Sequence, residues 1–311
     1  MLNRSAKQGV VILLLAFCFT LAVSAYNISD KDVSIDFDTA IYTGRAICPE
    51  VNVRHLTEGK NYFVTYTNNV NAGRAVIMVD DVNDSCPTVY RYFDILPCNI
   101  SNAEIKLSYT EATFSGKSKK PSVTVTFNGK ALKEGRDYTV SYKNNKKPGK
   151  AQVIVKGKGN FCGEAVKYFY IRPEKVKSLK AKKKTSDTVT LTWSRVTGAT
   201  EYRVYRYVNG KWKLAGSTEK TQFTVKKLSS DKEYKFRVRA VCKLKSKKLY
   251  GRYSKVLRVR TRLSGNDKIY ISPKGSKYHR KNCSYIKTNK KKVTYSYAKS
   301  KGYTACTRCF D

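Results

Sequence analysis

The chain has 311 residues, 62 Lys+Arg against 23 Asp+Glu, nine Cys, two His and 23 Tyr, and 41% of it is apolar. That apolar share supplies buried faces for roughly two to four small domains and excludes disorder, while a formal net charge of +39 calls for a polyanionic neighbour or abundant salt, since like charge at that density opposes compaction. Two histidines restrict any Ser-His-Asp or Cys-His catalytic reading to His55 and His279.

Residues 1–25 read as a secretory signal peptide. Arg4 and Lys7 make a positive start, residues 10–22 are apolar, and Val23-Ser24-Ala25 offers small residues before a cut near Tyr26. The competing reading, a membrane anchor, needs roughly 18–20 apolar residues, more than residues 9–22 provide. Lipidation at Cys18 is disfavoured by the bulky Phe17 before it. No other segment is apolar enough to span a bilayer, and the chain ends Cys309-Phe310-Asp311 without a hydrophobic tail. The expectation is a secreted protein with no transmembrane segment in its mature form, held at a cell surface, if at all, by non-covalent contacts.

Self-comparison then finds an internal repeat. Leu56-Thr-Glu-Gly-Lys-Asn-Tyr62 through Val79 aligns with Leu132-Lys-Glu-Gly-Arg-Asp-Tyr138 through Val155 at an offset of 76, which also lays Cys86 on Cys162 and Phe93 on Phe169. Upstream, Tyr42-Thr-Gly44 and Pro49 match Phe114-Ser-Gly116 and Pro121 at an offset of 72, so the second copy carries four extra residues around Phe127-Asn-Gly-Lys130, a hairpin with an Asn-Gly turn. Both copies run in alternating β-branched and aromatic residues punctuated by Asn-Asn and Gly, with no apolar set recurring at helical spacing. Two β-sandwich-like modules are predicted, 26–103 and 104–173. The pattern Phe114-x-Gly116, Leu132-x-x-Gly135-x-Asp137-Tyr138, Tyr142-x-Asn144-Asn145 and Gly157-x-Gly159-Asn160-Phe161 resembles the Ig-like surface repeats of exported, multi-module Gram-positive-type bacterial proteins. The resemblance implies spacers and adhesive stalks without catalytic residues. The first copy departs from it at Asp80-Asp-Val-Asn-Asp84, where clustered oxygen ligands suggest calcium but no known calcium-loop spacing is met, and a solvated turn is the favoured reading.

Residues 174–263 read as seven short strands with Asn209-Gly210 as a hairpin turn, each strand apolar on one side and Lys or Arg on the other. Trp193, the segment Gly198-Ala-Thr-Glu-Tyr202-x-Val204-Tyr205 and the spacing Leu228-x5-Tyr234 resemble a fibronectin type III domain and its tyrosine corner.

The last segment, 264–311, carries His279-x3-Cys283, then 22 residues, then Cys306-x2-Cys309. One imidazole and three thiolates make a closed tetrahedral zinc site with no position open for catalysis, and a domain this small needs such a staple. A Cys306–Cys309 disulfide is the alternative in an exported protein. The string from Tyr278 through Gly302-Tyr303 to Cys309 resembles a small bacterial metal-binding module related to the Ada-type zinc domain, though His279 replaces a cysteine of that set and methyl transfer is not expected. Cys48, Cys86, Cys98, Cys162 and Cys242 remain, an odd number, either bridged within the first module or buried as free thiols.

Charge is distributed unevenly. The first module has 6 Lys+Arg and 10 Asp+Glu, net −4; the second has 15 and 5, net +10; the third has 27 and 6, net +21; the last has 12 and 2, net +10. Alternation places Arg203, Arg237, Arg239, Arg258 and Arg260 on one sheet face of the third module, which predicts a continuous basic surface for polyanions. The interleaved Tyr and Arg of residues 202–207 offer stacking for single strands or are ordinary strand composition. The sequence thus reads as a mainly β chain of tandem Ig-like sandwiches with a small zinc-binding α+β module at its end. Its expected function is non-enzymatic binding or adhesion on anionic cell-wall or surface polymers. The runner-up is non-specific binding of extracellular DNA.

Overall fold

The computed structural model describes residues 27–310, so the predicted signal segment and Cys18 lie outside the described residues. The chain divides into two compact units that meet between Cys98 and Asn99.

The first unit is a β-sandwich. A four-stranded sheet runs in the order Thr39–Ile41, Val89–Leu96, Gly73–Asp81, Tyr62–Thr67, and a two-stranded sheet pairs Val33–Ile35 with Val51–Val53. Along Gly73–Asp81 every second residue faces in, so that Ala75, Ile77 and Val79 are buried with Phe93, Ile95, Tyr62 and Val53. In the second unit, Glu104–Leu107, Val123–Phe127 and Lys130–Ala131 form one sheet and Tyr138–Lys143, Gly149–Gly157, Glu164–Arg172 and Glu111–Thr113 another.

The sequence repeat is a repeat of hydrogen bonds. Tyr66 Oη donates to the Pro49 carbonyl at 2.6 Å, and Tyr142 Oη to the Pro121 carbonyl at 2.7 Å. The Asn69 side-chain amide donates to the Ile47 carbonyl as Asn145 does to that of Lys119. Asn68 and Asn144 both adopt φ near +57°, a left-handed turn conformation that asparagine tolerates. In each copy the second strand, 39–41 or 111–113, lies parallel to the long final strand, 89–96 or 164–172. Asp94 N donates to Asp38 O and Tyr42 N to Leu96 O; in the second copy Tyr170 N donates to Thr110 O and Phe114 N to Arg172 O. The extra residues of the second copy make the expected hairpin, with Asn128 and Gly129 at φ +48° and +77°.

The third sandwich packs Lys180–Lys184, Val189–Thr192 and Gln222–Val225 against a sheet of Lys211–Thr218, Glu201–Val208, Glu233–Lys243 and Lys248–Tyr250, with Leu257–Arg260 paired to Glu233–Lys243. Trp193, Leu191, Val204, Phe236 and Val238 fill its core. Tyr234 Oη accepts the backbone N–H of Ser229 at 2.7 Å, the tyrosine corner that the Leu228-x5-Tyr234 spacing predicts. The second sandwich abuts the third closely: a Cβ at Gly198 would sit 2.7 Å from Pro148, and Lys247 reaches Glu111 at 3.2 Å and the Tyr170 ring at 3.9 Å.

The tail is α+β. Lys291–Thr294, Lys268–Ile271, Lys277–His279 and Thr304–Ala305 form its sheet, followed or interrupted by the short helices Tyr295–Ser300 and Thr307–Phe310. Its apolar core is small, built on Ile269, Ile271, Tyr278, Val293 and Ala298, and a second cluster gathers Ile286 with the cysteines. Among the described residues no helix is long and apolar enough to cross a membrane.

Candidate functional site

The fold of the tail brings His279, Cys283, Cys306 and Cys309 together from three places. His279 ends strand 277–279, Cys283 sits in a turn closed by its own N–H on the Arg280 carbonyl, and Cys306 precedes the last helix, whose first turn swings Cys309 back. One ligand atom from each lies within 4.8 Å of the others, and all but the half-buried Cys309 are buried. His279 Nδ1 is 3.3 Å from Cys283 Sγ, and Cys283 Sγ is 3.8 Å from Cys306 Sγ. A tetrahedral ion holding sulfur at about 2.3 Å and nitrogen at about 2.0 Å sets its ligands roughly 3.5–3.8 Å apart, so these residues fit such an ion.

The protonation states of His279 and Cys283 agree with that use, whereas Cys309 must give up its proton to an ion. Burial, with help from Lys277, lowers the His279 pKa and keeps the imidazole neutral, the form that donates to a metal. Burial opposes charge on Cys283, but the Tyr285 backbone N–H, the neighbouring thiols and Arg308 outweigh it and lower its pKa. At Cys309 burial wins and pushes the thiol up to about 12. The Arg280 backbone N–H donates to Cys309 Sγ at 3.4 Å, the kind of outer contact that holds a thiolate ligand in place.

Arg280 also ties this site to the third sandwich. Its guanidinium donates to the Cys309 carbonyl, lies 4.3 Å over the Phe310 ring and pairs with Asp231 through Nε at 3.0 Å. Asp231 simultaneously holds Arg260 at 3.6 Å. Ser230 Oγ adds a 2.7 Å hydrogen bond to Asp267.

The five arginines predicted to form a basic face occupy the expected strands, but they do not form a continuous free surface. Arg237 lies 3.5 Å over Tyr253 and 4.3 Å over Trp212; Arg239 lies 4.1 Å over Tyr250 and donates to Tyr205 Oη at 2.8 Å. Arg203 pairs with Glu201 at 3.2 Å. These three are half-buried in a stack of alternating rings and guanidinium groups, while Arg258 and Arg260 are exposed and paired with Glu233 and Asp231. The reason is geometric. Arg203 pairs across the sheet with Arg239, and Tyr205 with Arg237, so every cation has a ring beside it, and Tyr250 and Tyr253 fold over the top.

Asp81, in the acidic loop of the first unit, is buried rather than solvated. It takes both the N–H and the hydroxyl of Ser85, and chiefly that side-chain bond lowers its pKa, so it staples the turn. His55 is exposed at φ +61°. Cys48 and Cys86 are not bridged to each other, and Cys242 is a buried thiol.

The fibronectin type III domain family matches residues 174–252, stopping short of the last strand at 257–260. No curated protein matches the chain. Among solved structures, a crystal structure titled FN3tt shares 25% identity over 29% of this chain and 95% of its own, with a TM-score of 0.26. Domains A168–A170 of titin share 14% over 74% of this chain and 99% of theirs, at 0.28. A fibronectin type-III domain of human fibronectin type III domain containing protein 3 shares 22% over 29% of this chain and 87% of its own, at 0.26. The chain is therefore a mainly β, multi-module protein of Ig-like sandwiches that carries a fibronectin type III domain.

Proposed function

We propose that the chain is a secreted or cell-surface binding protein without catalytic activity, whose cationic modules dock on anionic wall or surface polymers. The observation that carries this is the charge step along the sequence of modules: net −4 in residues 26–103, then +10, +21 and +10 in the modules after it. Fibronectin type III domains are commonly extracellular binding or adhesion modules, which agrees with the signal-like segment at residues 1–25. In this reading His279, Cys283, Cys306 and Cys309 hold zinc as a structural staple, because four protein ligands leave the ion no open position and the tail core is too small to fold unaided. Zinc supplies cross-linking energy there and no reaction. The runner-up, binding of extracellular nucleic acid through aromatic stacking, is weakened by the Arg–Tyr stack, which covers the rings it needs.

The test is a salt wash. Purified protein retained on isolated cell-wall material at low salt should elute at about 1 M salt, where the Debye length falls to roughly 3 Å. Retention through that wash removes the electrostatic account. Elemental analysis of the purified protein checks the ion, with one equivalent of zinc expected.

A further inference from the structure

With Arg203, Arg237 and Arg239 engaged in the ring stack, the free cations of the third sandwich lie elsewhere. Between edge strand 180–184 of one sheet and strand 257–260 of the other runs an open groove of about 710 Å³. Six basic residues line it: Lys182, Lys183, Lys184, Arg258, Arg260 and Arg262. Thr185 and Ser186 add hydroxyls at one end, and no lining residue is acidic or aromatic.

The groove is built by a backbone irregularity. The pairing of 180–184 with 189–192 slips by one residue between Ala181 and Lys183, so that Ala181 stands level with Leu191 and Lys184 with Val189, both core residues. Lys184 therefore stands opposite a core valine while its side chain stays exposed at the open sheet edge. Among the described residues Lys183, Lys184 and Arg262 have no ion-pair partner, and the Arg258–Glu233 pair is exposed enough to exchange for another anion at little cost. So many like charges around one recess repel each other until an anion enters.

Ammonium and guanidinium groups beside hydroxyls are a phosphate-binding set, with the planar guanidinium matched to two phosphate oxygens at once. The aliphatic floor of Ala181, Leu257, Val259 and Leu263 offers no ring on which a base would stack, and no helix stands ready to enter a duplex groove. Resting on the polyanion reading above, we propose that this groove binds a flexible phosphodiester chain without bases, of the polyol-phosphate kind.

The experiment uses the full chain in three forms: unaltered, with Lys183→Gln, Lys184→Gln and Arg262→Gln together, and with the charge-matched set Lys211→Gln, Lys213→Gln and Lys220→Gln on the outer strand of the 201–218 hairpin and the turn after it, none of which lines the groove. Binding of poly(glycerol phosphate) and of single-stranded DNA with the same number of phosphates is measured from about 50 to 200 mM salt, after thermal melts show that all three forms fold. The groove variant should lose about tenfold or more in affinity for poly(glycerol phosphate) at the low end, and its log–log salt slope should fall by about 2–3, near one for each phosphate contact removed. The hairpin variant should change by less than about threefold. Equal losses in the two variants overturn the groove and leave the polyanion reading standing. DNA bound as tightly as the polyol polymer and lost equally in the groove variant overturns the assignment of polymer. An unaltered chain that binds neither polymer overturns both proposals at once.

Discussion

Glu201 and Arg237 show how single residues hold the third sandwich. Glu201 is buried, and although burial alone would raise its carboxyl, hydrogen bonds from Lys243 and Arg203 outweigh that and hold it below the usual 4.5. A carboxyl depressed on folding contributes stability that is full above its unfolded pKa and fades as pH falls through the folded one. The sandwich should therefore weaken on the acid side, from about pH 5 downward, and Glu201→Gln should flatten that dependence while costing about 1–3 kcal/mol at neutral pH. Both tryptophans, Trp193 and Trp212, lie in this sandwich, so urea unfolding followed by their emission reads it without interference from the others. By the same readout Arg237→Met should destabilise by about 1–3 kcal/mol, since it removes a cation set over Tyr253 and Trp212. An unchanged midpoint would show that the stack is ornament. Alternation predicted Arg203, Arg237, Arg239, Arg258 and Arg260 on one sheet face, and Arg203 lies opposite Arg239 there with Tyr205 beside them, opposite Arg237. Their mutual engagement was not legible, because Tyr250 and Tyr253 come from a stretch where strand 248–250 is short and residues 251–256 follow no alternation.

At the level of elements, the turns and the His/Cys cluster were readable because each depends on residue types at fixed spacing. Asn128-Gly129 and Asn209-Gly210 both take the left-handed conformations that their hairpins require, and Cys306-x2-Cys309 sets two sulfurs on one helical turn. Strand 180–184 was not readable. Its sequence Lys-Ala-Lys-Lys-Lys has no apolar alternation, and only pairing to 189–192 makes it a strand. The cluster carries its own prediction. Cys306→Ser, or removal of the ion by a chelator, should abolish amide-exchange protection across residues 268–310. The tryptophan-monitored midpoint of the neighbouring sandwich should then shift by no more than about 1 kcal/mol, the worth of one Arg280–Asp231 contact at a part-exposed site. A tail that keeps its protection without metal defeats the ligand assignment. Gly198 is a second such point. At φ +69° with Pro148 at 2.7 Å, Gly198→Ala should cost about 1–3 kcal/mol of the second unit's stability, visible as a lower melting temperature.

For the whole molecule the net charge of +39 bears on solubility and on the docking proposed above, not on the fold. It predicts that added salt should raise the melting temperatures of the cationic modules by screening their self-repulsion even as it releases them from a polyanion, a pairing of effects that differential calorimetry and a retention assay would separate. The parallel pairing of the second and the long final strand in both repeats bears on how the protein meets force. A pull on the two ends of either repeat passes strand 33–35 or 104–107 and then loads 39–41 against 89–96, or 111–113 against 164–172, whose backbone bonds are sheared together instead of opening one after another. Stretched as single molecules, the two repeats should yield at higher load than a sandwich whose terminal strands peel apart like a zipper.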